Sequence, residues 1–187
     1  MILAAACVTP GVGQAQTVVH FEEGATDISL TFGRNDTVKL AAPIKGNFLY
    51  HKNGTLYVRL PRMPHLARIA PAIDAYKVPE IRAERVGPGP HIAGYLTEQW
   101  KYYVGRTFCG TILGSSTVAD VVGYNVTDIA NMNVALGLLH TKTPEADPCK
   151  YYLVPPGLGK MIGFPMASEG RESSSRVKAI KQNGIDV

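Results

Sequence analysis

The run HKNGTLYVRL, His51–Leu60, decides how the chain is read. Asn53-Gly54 is the strongest short hairpin signal in a sequence, because both residues tolerate the positive φ that a tight two-residue turn requires. On its downstream side Leu56, Val58 and Leu60 alternate with Tyr57 and Arg59, a period of two. Upstream, Ile28, Leu30 and Phe32 alternate in the same way with Asp27, Ser29 and Thr31. Half-apolar, half-polar alternation is the pattern of antiparallel strands with one covered face. Thr17 to Leu60 therefore reads as a meander of four or five strands.

The pattern changes between Pro61 and Pro90. Leu66, Ile69, Ala70, Ile73 and Tyr76 keep helical spacing and predict one or two short helices. Pro71 falls at a first turn or a kink, since it has no N–H to donate. Gly87-Pro88-Gly89-Pro90 reads as a loop between helix and sheet. Strands are expected again over Tyr95–Val104 and Thr107–Leu113. Ser115 or Ser116 can cap a short helix running through Val122, with Gly123 as its stop. Thr127 can cap a second helix, from Asp128 to about His140. Strands are then expected over Tyr151–Val154, near Lys160–Pro165 after the Pro155-Pro156-Gly157 turn, and over Ser174–Lys181. The fold class is α+β: a curved, mostly antiparallel sheet, an unclosed barrel, packed against a few short helices.

A chain of 187 residues is enough for one domain with a sizeable core. Hydrophobic residues make up 45% and charged residues 18%, which excludes wholesale disorder. The formal charge of +4 is spread along the chain without aromatic–basic interleaving, so no nucleic-acid partner is expected. Ile2–Val8 is a short apolar run, and Gly13-Gln14-Ala15 offers the small residues a signal peptidase reads. Residues 1–15 are accordingly expected to be an export signal, and 16–187 a single α+β domain in the periplasm or outside the cell. Leu3–Cys7 also approaches a lipoprotein cleavage box, spaced one residue too wide, which keeps lipidation of Cys7 as an alternative. No other segment reaches the ~18 apolar residues that cross a bilayer.

Cleavage after Ala15 leaves two cysteines, Cys109 and Cys149. In an oxidising compartment an even pair is most simply a disulfide. Cys109 lies in GRTFCGTILGSS, Gly105–Ser116, which also raises the reading of a nucleophile on a turn. None of the five histidines has a cysteine-hydrolase context. Gly114-Ser115-Ser116 lacks the flanking glycines of a serine elbow. Gly105, Gly110 and Gly114 lack phosphate-loop spacing and read as strand bends or bulges. No spacing of His, Cys and carboxylates suits a metal. No catalytic residue, metal or cofactor is assigned. The aromatic run around Trp100, with Phe108 nearby, is either core or the wall of an apolar cavity.

The motifs IAGYLTEQW, Ile92–Trp100, and IGFPMASEG, Ile162–Gly170, set in this order of elements, resemble those of exported bacterial domains related to the LolA-like lipoprotein carriers. The resemblance spans roughly Thr17 to Ile185. It implies an unclosed antiparallel barrel on helices, with an apolar concave face that in the carriers holds acyl chains. The chain departs from the carriers in its cysteine pair and has no match to their functional arginine. Family members usually run on into a further terminal segment, so a shortened C-terminal strand is expected.

The first functional expectation is a non-enzymatic exported domain, monomeric, that binds a lipid or a lipidated protein in the concave face. Trp100, Phe108, Leu56, Val58, Leu60, Ile69 and Ile73 are the candidate lining. The alternative is a structural or interaction protein of the cell envelope whose sheet is filled by its own side chains. A secreted hydrolase is the third reading, kept because serines, histidines and acids are all present.

Overall fold

In the computed structural model, the described residues are 16–33, 37–41, 48–52, 55–59, 67–68, 81–122, 149, 159–171, 174–183 and 185–186. The strands are β1 (Thr17–Glu23), β2 (Thr26–Gly33), β3 (Thr37–Ala41), β4 (Phe48–Lys52), β5 (Thr55–Arg59) and β6 (Ala67–Arg68). They continue with β7 (Ile81–Pro88), β8 (Glu98–Val104), β9 (Thr107–Ser115), β10 (Phe164–Gly170), β11 (Ser174–Gln182) and β12 (Ile185–Asp186). Among the described residues between β9 and β10 are two short helices, α1 (Ser116–Val122) and α2 (Gly159–Ile162). None of the helices among the described residues is long and apolar enough to cross a membrane.

The strands form one antiparallel sheet in the order β6-β5-β4-β3-β2-β1-β11-β10-β9-β8-β7. Its two ends, β6 and β7, are not paired with each other, so the sheet is unclosed. Two meanders build it, each from strands consecutive in sequence. They are sewn together by β1 against β11, from Thr17↔Gln182 to Glu23↔Ser175. β12 pairs with the last residues of β11, beyond the stretch of β11 that β10 covers.

The expected first meander is present as five strands, β1 to β5. The hairpin across Asn53-Gly54 closes with Lys52 opposite Thr55. Register gives this half of the sheet a sharp division. One row runs Ile180–Val19–Leu30–Leu40–Leu49–Val58–Ala67 across β11, β1, β2, β3, β4, β5 and β6. The adjacent row runs Lys181–Val18–Thr31–Lys39–Tyr50–Tyr57–Arg68. Successive residues of a strand face opposite sides, so Ile180, Val19 and Leu30 share one face and Lys181, Val18 and Thr31 the other. Where the first row enters the core, Ile180, Val19 and Leu30 are buried with Phe32, Val38, Val177, Phe164 and Met166. Phe164 meets Phe21 and Phe32 with ring centroids 6.0 Å away in each case.

Helix α1 adds Val118 and Val122 to that core. Its start is the expected one: the Val118 amide donates to Ser115 Oγ at 3.4 Å, an N-cap bond that satisfies an otherwise orphaned donor.

Four expectations along the chain are corrected. Ala67–Arg68, placed in a helical stretch, is strand β6 against β5. Ile81–Pro88, placed between helix and loop, is strand β7 against β8. Its alternation of Ile81 and Ala83 with Arg82 and Glu84 breaks at a bulge between Arg85 and Gly87. Pro88 is tolerated because β7 ends the sheet and needs no N–H on its open side. Tyr95 does not begin a strand: it exchanges both backbone hydrogen bonds with Ile92 at 3.0 Å, closing a tight turn over Ala93-Gly94, and β8 starts at Glu98. Lys160–Pro165 is divided between the helical turn α2 and the start of β10, with Gly163 at φ +77° between them. A Cβ on Gly163 would stand 2.6 Å from the Ser115 carbonyl oxygen, so only glycine fits this junction.

The expected export signal with Cys7, the Gly123 stop, the Asp128–His140 helix, the Tyr151–Val154 strand and the Pro155-Pro156-Gly157 turn lie outside the described residues.

Candidate functional site

The β8–β9 hairpin turns through Gly105-Arg106, with Val104 opposite Thr107. Tyr103 pairs with Phe108, but Tyr102 pairs with Gly110, so Cys109 is the extra residue of a bulge. A bulge sends two successive residues toward the same side and bends the strand. Cys109 is thereby driven fully inside, 0% exposed, although it stands three residues before the equally buried Ile112. Gly110 follows at φ +154°, and a Cβ there would run into the Glu169 carbonyl of β10. The bulge and this close approach put the sulfur where it can be bridged: Cys109 and Cys149 are disulfide-bonded, with Cα atoms 5.1 Å apart.

Around the bridge Trp100, Tyr102, Val104, Ile112 and Ile162 form a second buried cluster, with Ile81 and Ala83 of β7 packed against it. Trp100 is only 7% exposed. Its Nε1–H is buried without a hydrogen-bond acceptor among the described residues. Phe108 belongs to the other side of the hairpin and is 44% exposed. It meets the Tyr103 ring edge-on at 5.5 Å, and the Arg82 guanidinium lies 4.6 Å above that same ring. Tyr103 Oη donates to Glu84 at 3.2 Å. Desolvation, followed by the Glu84 carboxylate, raises the Tyr103 phenol above its ordinary pKa. Arg82 is held by Glu84 at 2.7 Å, and Arg85 pairs with Glu98.

Trp100 and Phe108, proposed together from the sequence, are thus separated by the hairpin. Leu56 and Val58 are on β5, toward the opposite end of the strand order from β8. Leu60, Ile69 and Ile73 lie outside the described residues. Cys109 has no free thiolate in the bonded form, which removes the nucleophile reading for it. Among the described residues no group of three His, Cys, Asp or Glu side chains is placed to hold a metal ion.

Two concavities were not foreseen. One, of 350 Å³, lies at the seam of β1, β9, β10 and β11 and is lined among others by Glu22, Thr111, Ser168, Glu169, Ser175 and Arg176. Glu22, Glu169 and Arg176 share one face of these strands, whereas the Ser168 and Ser175 hydroxyls, joined by a hydrogen bond of 2.8 Å, belong to the other, where Ser168 is buried opposite Ile112. Glu22 is held at 3.2 Å by Lys178, which also reaches Asp27 at 3.3 Å. These partners raise the Lys178 pKa, Glu22 contributing first. On the neighbouring strand position, burial raises the Glu23 carboxyl above its ordinary value. No motif marks this seam, because its residues meet only through the β10–β11 and β9–β10 registers. The second groove, of 450 Å³, includes His20, Asp27, Ser29 and Lys178. His20 and Ser29 are directly opposite across β1 and β2, yet no side-chain hydrogen bond joins them.

No protein-family model matches the chain, and no curated protein matches it either.

Proposed function

We propose that this chain is an exported, non-enzymatic domain of LolA-like architecture. In this reading its sheet curves into an unclosed barrel and binds a lipid or a lipidated protein on the concave side. The observation that carries the reading is the register that aligns one apolar residue from each of seven strands, from Ile180 to Ala67, beside a line of mostly polar ones. In this reading the aligned residues make one apolar face, which the chain itself or a ligand must cover, since burial is worth about 25 cal/mol per Å². The disulfide supports assignment to the periplasm or the extracellular space, where such bonds persist. The domain acts as a monomer in this reading.

Native mass spectrometry of protein isolated from its own compartment tests the proposal, and an acyl chain should co-purify. Leu49→Arg and Val58→Arg, which place a charge in the row, should each lower uptake of a fluorescent fatty acid at least tenfold. Equal uptake by both variants and the parent refutes it.

The Trp100 cluster favours a second reading, an envelope structural or interaction protein with a self-filled interior. Trp100, Tyr102, Ile112 and Ile162 are packed against one another and the disulfide, with none more than 7% exposed. A ligand-free protein that retains full stability after delipidation favours this second reading.

A further inference from the structure

We infer that the 350 Å³ concavity at the β1–β11–β10–β9 seam is a binding site for a small zwitterionic ligand, one that carries both an ammonium and a carboxylate, as a free amino acid or a dipeptide does. This site is separate from the apolar row and does not depend on the lipid reading.

Its size lies at the lower end of the roughly 300–1,000 Å³ typical of small-molecule sites, which suits a ligand of a few residues at most. Its charge is mixed. Arg176 lies directly opposite Glu22 on β1 and diagonal to Glu169, whose strand partner is Ser174. Neither Arg176 nor Glu169 forms an ion pair with a described residue, whereas Glu22 is committed to Lys178. The concavity therefore offers one free guanidinium and one free carboxylate.

The floor adds directional groups. Ser174, the strand partner of Glu169, shares the face of Glu22, Glu169 and Arg176 and supplies a hydroxyl that can donate and accept. Thr111 supplies a second hydroxyl beside Glu169, its other strand partner.

The alternatives fit less well. A simple anion at Arg176 would face the Glu22 and Glu169 carboxylates as well, and like charges repel. A simple cation would meet Arg176. A neutral sugar would leave both free charges without partners. A ligand with both signs satisfies each, and a planar guanidinium matches a carboxylate through two parallel hydrogen bonds.

The test is a titration followed by amide ¹H–¹⁵N shifts, with glycylglycine as probe and sulfate, glycylglycinamide and glucose as controls. Glycylglycine should saturate, with shifts centred on Ser168, Glu169 and Ser174–Arg176, and bind at least tenfold tighter than any control. Arg176→Gln and Glu169→Gln should each weaken it about tenfold. Both side chains are exposed, so the variants keep the fold, and an unchanged spectrum away from the seam verifies it. No saturation by glycylglycine, a control that binds equally tightly, or affinity unaltered by both substitutions overturns the inference.

Discussion

Replacing Cys109 and Cys149 together by alanine isolates what the cross-link contributes. The bond spans 40 residues of sequence. In the chain-entropy description the denatured chain then regains about 13 cal/mol/K, from 2.1 + 1.5R ln n, or about 4 kcal/mol at 25 °C. For a chain of 187 residues each kcal/mol moves the melting midpoint by about 2–4 °C, so the double variant should melt about 8–16 °C below the parent. Alanine also removes two buried sulfurs, since Cys109 is fully covered and Cys149 nearly so. Parent protein kept reduced separates the two effects, because it loses the cross-link and retains the sulfurs. Denaturant titration of all three forms gives the comparison, and peptide mapping without reductant confirms the bridge in the parent. A reduced protein that melts within about 3 °C of the oxidised one refutes the entropic account, and unbridged peptides refute the pairing itself.

Gly110→Ala should cost at least the roughly 1–3 kcal/mol of an overpacked site, because the new Cβ would strike the Glu169 carbonyl from a left-handed φ. A melting midpoint equal to the parent's would show that β9 and β10 are not held so close. Ala93 and Gly94 have φ values of +49° and +83°, the two positive angles of a hairpin turn that prefers asparagine at its first position. Ala93→Asn should therefore raise stability by up to about 1 kcal/mol in denaturant titration, and a loss would argue that packing of Ala93 on the core decides instead. Glu23 keeps its proton longer in the folded chain than in the unfolded one, because burial raises its pKa above 4.5. The folded state thus binds more protons over the interval above that value, and stability falls as pH rises through it. Glu23→Gln removes this loss, so the melting advantage of the variant over the parent should grow between pH 4 and 7; a constant or shrinking difference contradicts the assignment.

What the sequence disclosed was local. Alternation and the Asn53-Gly54 turn need only neighbouring residues, and the β1–β5 meander followed from them. Cysteine parity anticipated the bridge, and Ser115 as a cap was legible from its chemistry alone. Strand β7 was hidden because its alternation is interrupted by the bulge at Val86 and ends in Gly87-Pro88, which reads as a break when the strand's edge position is unknown. The β1–β11 seam joins residues about as far apart as the chain allows, and nothing periodic announces such a pairing. Trp100 and Phe108 looked like neighbours for a related reason. The bulge at Cys109 places Ile112 opposite Trp100 and leaves Phe108 with Tyr103. The charged seam was invisible for the same cause as β1–β11, since Glu169 and Arg176 become neighbours only once β10 and β11 are aligned.

The staple and the apolar row occupy different parts of the sheet, which gives a way to separate the two functional readings. Cys149 lies in sequence between α1, whose Val118 and Val122 enter the first core, and α2, whose Ile162 enters the second. The bridge therefore ties Cys149 to the β8–β9 bulge and the Trp100 cluster. The row from Leu30 to Ala67 depends on the β2–β6 hairpins, which close locally and gain nothing from that loop closure. If acyl chains bind on the row, reduction should lower stability by the amount derived above while fatty-acid affinity changes less than about twofold below the melting range. If they bind instead beside Trp100, whose Nε1–H has no acceptor among the described residues, affinity should fall as the bridge opens and the indole fluorescence should shift with it. Uptake measured against the fraction of bridged protein distinguishes the two, and an affinity that tracks the bridge removes the apolar row as the binding face.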